Sequence, residues 1–246
     1  MKNGHKWHIY ALAFTVSLAA CNQSKNSAQQ TDSTSGRTEE DVAIEPTIPL
    51  TTPDGEPARF AFRSGIVEME YQGDYRGIRR TTFTDYGVRE RRHDSAVPAN
   101  KHMTAIPPQQ LAIMTPTVHG VIDLRDKTGQ KMPNNAYQKY RESWRTTSRP
   151  FGEIALEHSG GKRLPDTVLQ GNYACRVYQQ KGQTFTRTIW VWGGLPIREE
   201  LVLTNGQAGS FLLEPVSIKT DIVVLDSLFT FPAGYEIEEV LYGSGR

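Results

Sequence analysis

Two thiols, six imidazoles and two runs of arginines are the groups in this 246-residue chain with the most chemistry to offer. Cys21 ends an apolar stretch and follows two alanines, a setting in which an activated thiolate is open to alkylation. Cys175 lies in an alternating segment with Tyr173 and Val177 on its side. A free Cys in such a row behaves as a small apolar residue, so it is expected to be inert core. Among the histidines, His5 and His8 fall near the start, and His93, His102, His119 and His158 are scattered. None has His-x3-His, His-Glu-x2-His or Cys-x2-Cys spacing, so no zinc site is predicted. No Gly-x-Ser-x-Gly elbow, Gly-x4-Gly-Lys-Ser/Thr loop or dinucleotide fingerprint occurs. The expectation is a protein that is not an enzyme and that carries no cofactor. Arg76, Arg79 and Arg80, with Arg89, Arg91 and Arg92, would make a cationic strip for the phosphate of a lipid if they shared one face. Arg79/Arg80 and Arg91/Arg92 are consecutive, however, so each pair splits between the two faces of a sheet. Asp85, Glu90 and Asp94 are close enough to neutralise them, and a solvated strand face is expected.

The elements that must position these groups begin with a leader. Lys2 and Lys6 precede an apolar run from Ile9 to Ala20 that only Thr15 and Ser17 interrupt. Twelve residues rise about 18 Å as a helix, too short for a hydrocarbon core of about 30 Å, which favours a cleaved signal peptide over a permanent span. The run closes as Leu18-Ala19-Ala20-Cys21, which resembles the lipobox of bacterial lipoproteins. The resemblance implies that residues 1–20 are removed and that Cys21 is acylated. Several acyl chains make a stable anchor, since each buried methylene contributes about 0.8 kcal/mol. Residue 22 is Asn, not Asp, which by the enterobacterial sorting rule implies the outer membrane, facing the periplasm. With Cys21 acylated, Cys175 has no disulfide partner.

Residues 21–58 read as a lipidated, disordered tether. Asn22 to Glu40 is almost wholly polar and cannot offset the entropy of ordering, and Pro46, Pro49, Pro53 and Pro57 favour an extended chain. From residue 59 to 246 a single domain is expected. A formal net charge of +1 argues against a nucleic-acid partner.

Within that domain period two dominates. Residues 64–72 place Ile66, Glu68 and Glu70 on one face and Gly65, Val67, Met69 and Tyr71 on the other. Strands follow at 76–85 and 88–94, with a short apolar one at 111–114 and another at 119–125. One convincing helix spans about Asn134–Thr147, capped by Asn134 or Asn135, with Tyr137, Tyr140 and Trp144 as its packing stripe. Strand signals return at 167–169, 173–179, 183–192, 195–203, 211–213, 216–222 and 229–231. The pattern predicts a mainly β (α+β) fold: about ten antiparallel strands in a strongly curved sheet, with one main helix packed on its concave side.

The second half resembles bacterial envelope lipoproteins of unknown function with a LolA/LolB-like fold. The residues are Gly171-Asn172-Tyr173-Ala174-Cys175 with Val177-Tyr178, then Trp190 to Ile197, then Asp226 to Tyr235. Ser64 to Glu68 and Phe83 to Gly87 belong to the same pattern. The resemblance implies an incomplete β-barrel around an apolar cavity, with Trp144, Trp190, Trp192, Phe185, Phe211 and Phe229 as candidate lining residues. It implies a lipid or lipoprotein ligand and a monomer anchored through its N-terminal lipid. The alternative is a non-catalytic scaffold that meets an envelope partner through sheet edges or the arginine strip.

Overall fold

The computed structural model describes residues 43–102, 107–147, 151–204 and 206–240; the leader, Cys21 and the polar half of the tether lie outside the described residues. Six strands come first: β1 (Gly65–Gly73), β2 (Tyr75–Thr84), β3 (Arg89–Pro98), β4 (Gln109–Met114), β5 (Val118–Asp123) and β6 (Thr128–Pro133). Helices α1 (Asn135–Thr147) and α2 (Phe151–His158) intervene. Then come β7 (Lys162–Leu169), β8 (Tyr173–Lys181), β9 (Phe185–Trp192), β10 (Leu195–Leu203), β11 (Phe211–Thr220) and the short β12 (Glu236–Glu239).

All twelve form one sheet in the order β12-β6-β5-β4-β3-β2-β1-β11-β10-β9-β8-β7. Two meanders, β1–β6 and β7–β11, are joined where β11 runs antiparallel beside β1. The sheet is curved and open, with β12 and β7 at its edges. The edges are blunt: β7 breaks register between Leu164 and Thr167, around Pro165, and β12 is four residues long and carries Glu236, Glu238 and Glu239.

The mainly β architecture agrees with the sequence pattern, and several details correct it. Among the described residues there are twelve strands where about ten are expected, and two helices where one is. The strand signals at 211–213 and 216–222 are one strand, bulged where Glu68 and Met69 face Ser217 and Pro215. Residues 229–231 are no strand, because Asp226–Phe229 is a 3-10 turn. β12 pairs with β6 in parallel, the one exception to the antiparallel ladder. Asn134 caps α1, its Oδ1 accepting the Tyr137 N–H at 3.1 Å. It is α2, not α1, that reaches the sheet, through Leu156 against Tyr178, Ile189 and Val191. α1 rests on α2 and on the segment before β1: the Tyr137 hydroxyl donates to Glu56 at 3.0 Å, and Arg141 pairs with the same carboxylate at 2.6 Å.

Residues 43–58, given to the tether on composition, form an ordered strap. Glu45 pairs with Arg176 at 2.8 Å, Thr51 bridges Pro57, and Thr52 and Ala58 are buried. Proline stiffens an extended chain without preventing it from docking. The strap runs so close to the β9–β10 turn that a Cβ on Gly194, at φ +83°, would collide with the Arg59 carbonyl.

The main core gathers Val67, Met69, Tyr71, Phe83, Leu195, Ile197 and Leu213 with Phe60. A second cluster, Leu111, Ile113 and Ile122, lies under Phe231, Tyr235 and Ile237 of the C-terminal segment. The expected alternation on β1 holds: Gly65, Val67, Met69 and Tyr71 are buried, and Ile66, Glu68 and Glu70 are less so.

Candidate functional site

The buried face of the central strands carries a charged seam. Register places Met69 of β1, Arg79 of β2 and Asp94 of β3 side by side, and Tyr71, Leu213 and Glu199 continue the row across β1, β11 and β10. Alternation turns all of these side chains to one side of the sheet. Arg79 is the hub. Its Nε donates to Asp94 Oδ1 at 2.5 Å, its Nη1 to Glu199 Oε2 at 2.5 Å and its Nη2 to the Tyr71 hydroxyl at 3.0 Å. Three inter-strand steps separate β2 from β10, about 14 Å in a flat sheet. Curvature is what lets one guanidinium bind carboxylates on both sides of it.

The rest of the seam completes these bonds. The Tyr71 hydroxyl donates to Asp94 Oδ1 at 2.6 Å, Arg92 Nε to Asp94 Oδ2 at 3.1 Å, and Arg187 Nε to Glu199 Oε1 at 2.8 Å. Farther along β3, Glu90 pairs with Arg59 at 2.9 Å. Exposure falls to 2% at Asp94, 5% at Glu199 and 8% at Arg79, so isolated ions here would be prohibitively costly. Each carboxylate oxygen of Asp94 and Glu199 instead accepts from a guanidinium or the phenol.

The electrostatics follow. Burial alone would raise the Glu199 carboxyl, but Arg79 and Arg187 outweigh it and hold it at about 2. Burial is likewise outweighed at Asp94, where Arg79, Arg92 and the Tyr71 hydrogen bond pull the carboxyl below its ordinary range. Burial, with the neighbouring Asp94 charge, pushes the Tyr71 phenol well up. At neutral pH the seam is fully ionised apart from Tyr71 and is satisfied within itself. It ties β1, β2, β3 and β10 together across the curved sheet.

The aromatic residues expected to line a hollow do not gather in one. Trp190, Trp192 and Phe211 flank the main core cluster. Trp192 packs on Phe62 at 4.7 Å and Tyr173 at 4.9 Å, Arg198 lies 4.4 Å above the Trp190 ring, and Phe211 meets Tyr71 edge-on at 5.3 Å. Phe229 is buried in its 3-10 turn beneath Arg89, Phe185 packs at the β8–β9 turn near Gly182, and Trp144 sits on α1. A small void of about 20 Å³ lies between the strap, α2 and the sheet, lined by Ile48, Leu156, Arg176, Tyr178 and Val191. That is room for about one water. A second, open and polar depression of about 400 Å³ lies at the β1–β2 turn beside Glu70, Gln72 and Arg76.

Cys175 is 1% exposed, and burial, with Glu45 and Asp166 adding to it, pushes its thiol up to about 12. It therefore stays a thiol at neutral pH and is a poor nucleophile. Cys21, the expected lipidation site, lies outside the described residues. Among the described residues no three His, Cys, Asp or Glu side chains are placed to hold a metal ion, and no helix is long and apolar enough to cross a membrane.

The arginine reading needs one correction. The consecutive pairs do split, with Arg80 and Arg91 on one face and Arg79 and Arg92 on the other, and Asp85, Glu90 and Asp94 do neutralise arginines. Arg79, however, is buried core and not part of a solvated face. Glu199 went unnoticed in the sequence. Its signal was an acid in the inward row of β10, after Leu195 and Ile197, where alternation calls for an apolar residue.

No family model matches the chain, and no curated protein is similar enough to count as a relative. Among solved structures, an uncharacterised conserved protein from Thermus thermophilus is similar at 8% identity and TM-score 0.43, over 72% of this chain and 90% of that one. PNGF-II is similar in two crystal forms at 14% identity. In the P21 form the TM-score is 0.40, over 73% of this chain and 32% of that one. In the C2 form it is 0.36, over 72% and 31%, so this chain spans about a third of PNGF-II's length.

Proposed function

We propose that this chain is a lipid-anchored lipoprotein of the cell envelope, acylated at Cys21, whose domain is a non-catalytic interaction module. In this reading the anchor lies in the outer membrane and the domain faces the periplasm. The observation that carries the interaction role is the filled space under the sheet. The Tyr71–Arg79–Asp94–Glu199 seam occupies one part of it, and the strap and α2 close over another around a void of about 20 Å³. A pocket for a lipid or comparable ligand needs about 300–1,000 Å³. Blunt edges at β7 and β12 disfavour strand addition, so the interaction surface is assigned to the sheet faces and the segment after β11. There Val216, Val223 and Leu225 are exposed by 60%, 94% and 65%.

Photocrosslinkers placed at Val216 and Val223 in living bacteria are expected to give one dominant protein adduct, while solvent extraction of the purified chain yields no acyl lipid beyond the anchor. A non-covalent lipid recovered at one per chain would overturn the reading. So would failure of Cys21→Ser to release the protein from membranes, for the anchor alone. The second reading, an apolar ligand held in an incomplete β-barrel as in the LolA/LolB-like group, is favoured by the half-buried Phe62–Trp192–Tyr173 stack. The same extraction decides between the two.

A further inference from the structure

The face opposite the seam carries an arginine that the seam's chemistry does not explain. Arg80 stands opposite His93 across β2 and β3, and Thr82 stands opposite Arg91. Arg80 and Arg91 are therefore diagonal neighbours on one face, with His93 beside both. Diagonal neighbours in an antiparallel pair lie about 7–8 Å apart, within reach of long side chains. Of the carboxylates on this face, Glu70 stands diagonal to Arg80, two strands away from Arg91, and the others serve arginines other than Arg91. Glu68 pairs with Arg80, whose side chain is still 54% exposed, and Asp85 and Asp226 both pair with Arg89, two residues before Arg91. Asp94 is close in sequence but points into the seam. Among the described residues no carboxylate pairs with Arg91, although it is half-buried on a floor that includes Ile113, its register partner on β4. Consistent with this, burial and then Arg80 pull the Arg91 guanidinium below its ordinary value, and burial and then Arg91 do the same to His93.

We propose that Arg91, together with Arg80 and His93, forms a binding site for a phosphate group. Arg91 can offer a guanidinium fork, and Arg80 the edge that Glu68 leaves, to a tetrahedral oxyanion, which matches phosphate geometry better than a single carboxylate would. Glu68 and Glu70 both lie on the Arg80 side of the pair, which leaves Arg91, among the described residues, a cation with no facing carboxylate that an external anion can meet. The assignment goes beyond the interaction reading and does not depend on it. The phosphate could belong to a lipid headgroup or to a soluble phosphorylated molecule, and the test separates the two.

The mature chain, residues 21–246, carrying Cys21→Ser so that neither leader nor acyl group confuses vesicle binding, is titrated with inorganic phosphate while the His93 imidazole resonance is followed by NMR. A saturable shift is expected at millimolar phosphate. Arg91→Gln should weaken it by at least about tenfold, and Arg80→Gln by about threefold. Arg91→Lys, which keeps the charge without the fork, should fall between wild type and Arg91→Gln. Arg198→Gln, which removes a positive charge elsewhere on the same face, should leave it unchanged. Sedimentation with phosphatidylglycerol and with phosphatidylcholine vesicles forms the second arm. Arg91-dependent binding to the first alone, reversed by phosphate, assigns the site to a headgroup. A phosphate response without vesicle binding assigns it to a soluble ligand. The proposal fails if Arg91→Gln responds to phosphate as the wild type does, or if neither phosphate nor vesicles produce an Arg91-dependent response.

Discussion

Arg79 and Arg80 are adjacent in the chain, yet the sheet gives them opposite fates, and Arg91 and Arg92 repeat the contrast one strand over. On the inner face Arg79 is 8% exposed and binds two carboxylates and a phenol, with Arg92 sharing one of those carboxylates. On the outer face Arg80 has one partially exposed partner and Arg91 has none among the described residues. The residue type is the same throughout. What differs is how many acids alternation delivers to each face. The inner face receives Asp94 from β3 and Glu199 from β10, and the curve draws them together, whereas the outer face receives Glu68 and Glu70 from β1, both on the Arg80 side and neither beside Arg91. A saturated guanidinium is architecture, and an unsaturated one is available for binding.

The sharpest way to break this comparison is Arg79→Met. It removes the cation that Asp94 and Glu199 share, leaving each buried carboxylate with one partly exposed arginine, Arg92 or Arg187, and should cost about 3–5 kcal/mol, read as a fall in the urea midpoint of the full chain. A loss below about 1 kcal/mol would mean the seam is not a buried, mutually compensating set. Acid should reach the same bonds more gently. Glu199 is held at about 2 in the fold against an ordinary 4.5, and Asp94 is also depressed. Their contribution is therefore complete above about pH 5 and drains away as pH falls through 4.5 towards 2, with Glu199 accounting for something on the order of 3 kcal/mol. Stability measured against pH should show this acid slope in the wild type and lose most of it in Glu199→Gln.

On the outer face the expected sign reverses. Arg91→Gln removes a half-buried cation that faces another cation, and should leave stability unchanged or raise it by up to about 1 kcal/mol while abolishing phosphate binding. A clear destabilisation would show that Arg91 has a structural partner after all. The smallest effect is assigned to Glu68→Gln, with a stability change within about 0.5 kcal/mol and tighter phosphate binding as Arg80 is released.

Much of this architecture was legible from alternation alone. The two faces of β1, the split of the arginine pairs and the capped helix at Asn134 follow from local pattern, because each depends on neighbours one to four residues away. β6 (Thr-Gly-Gln-Lys-Met-Pro) and β12 (Glu-Ile-Glu-Glu) were missed because they hold few β-branched or aromatic residues, and each is a strand mainly because a neighbouring edge offers it hydrogen bonds. α2 was missed because its eight residues are too few to show a helical period clearly. The seam could be suspected from single inward acids but not assembled, since Arg79 and Glu199 are 120 residues apart and meet only through curvature. The six aromatic residues were proposed as one set on resemblance, and composition holds no information on whether rings meet each other or separate cores.

The strap has a mechanical consequence. A force applied on the N-terminal side of Ala43 enters the domain through Glu45 and its ion pair with Arg176, then through the small loop closed by the Thr51–Pro57 bridge, and only then through the Ala61 N–H bonded to Gly193. These contacts lie in series, so the first can give way and free a length of chain while β1 stays zipped to β11 and β2. Pulled from that end, the domain would have a fuse ahead of its sheet, absorbing slack and tension before any strand is asked to slide.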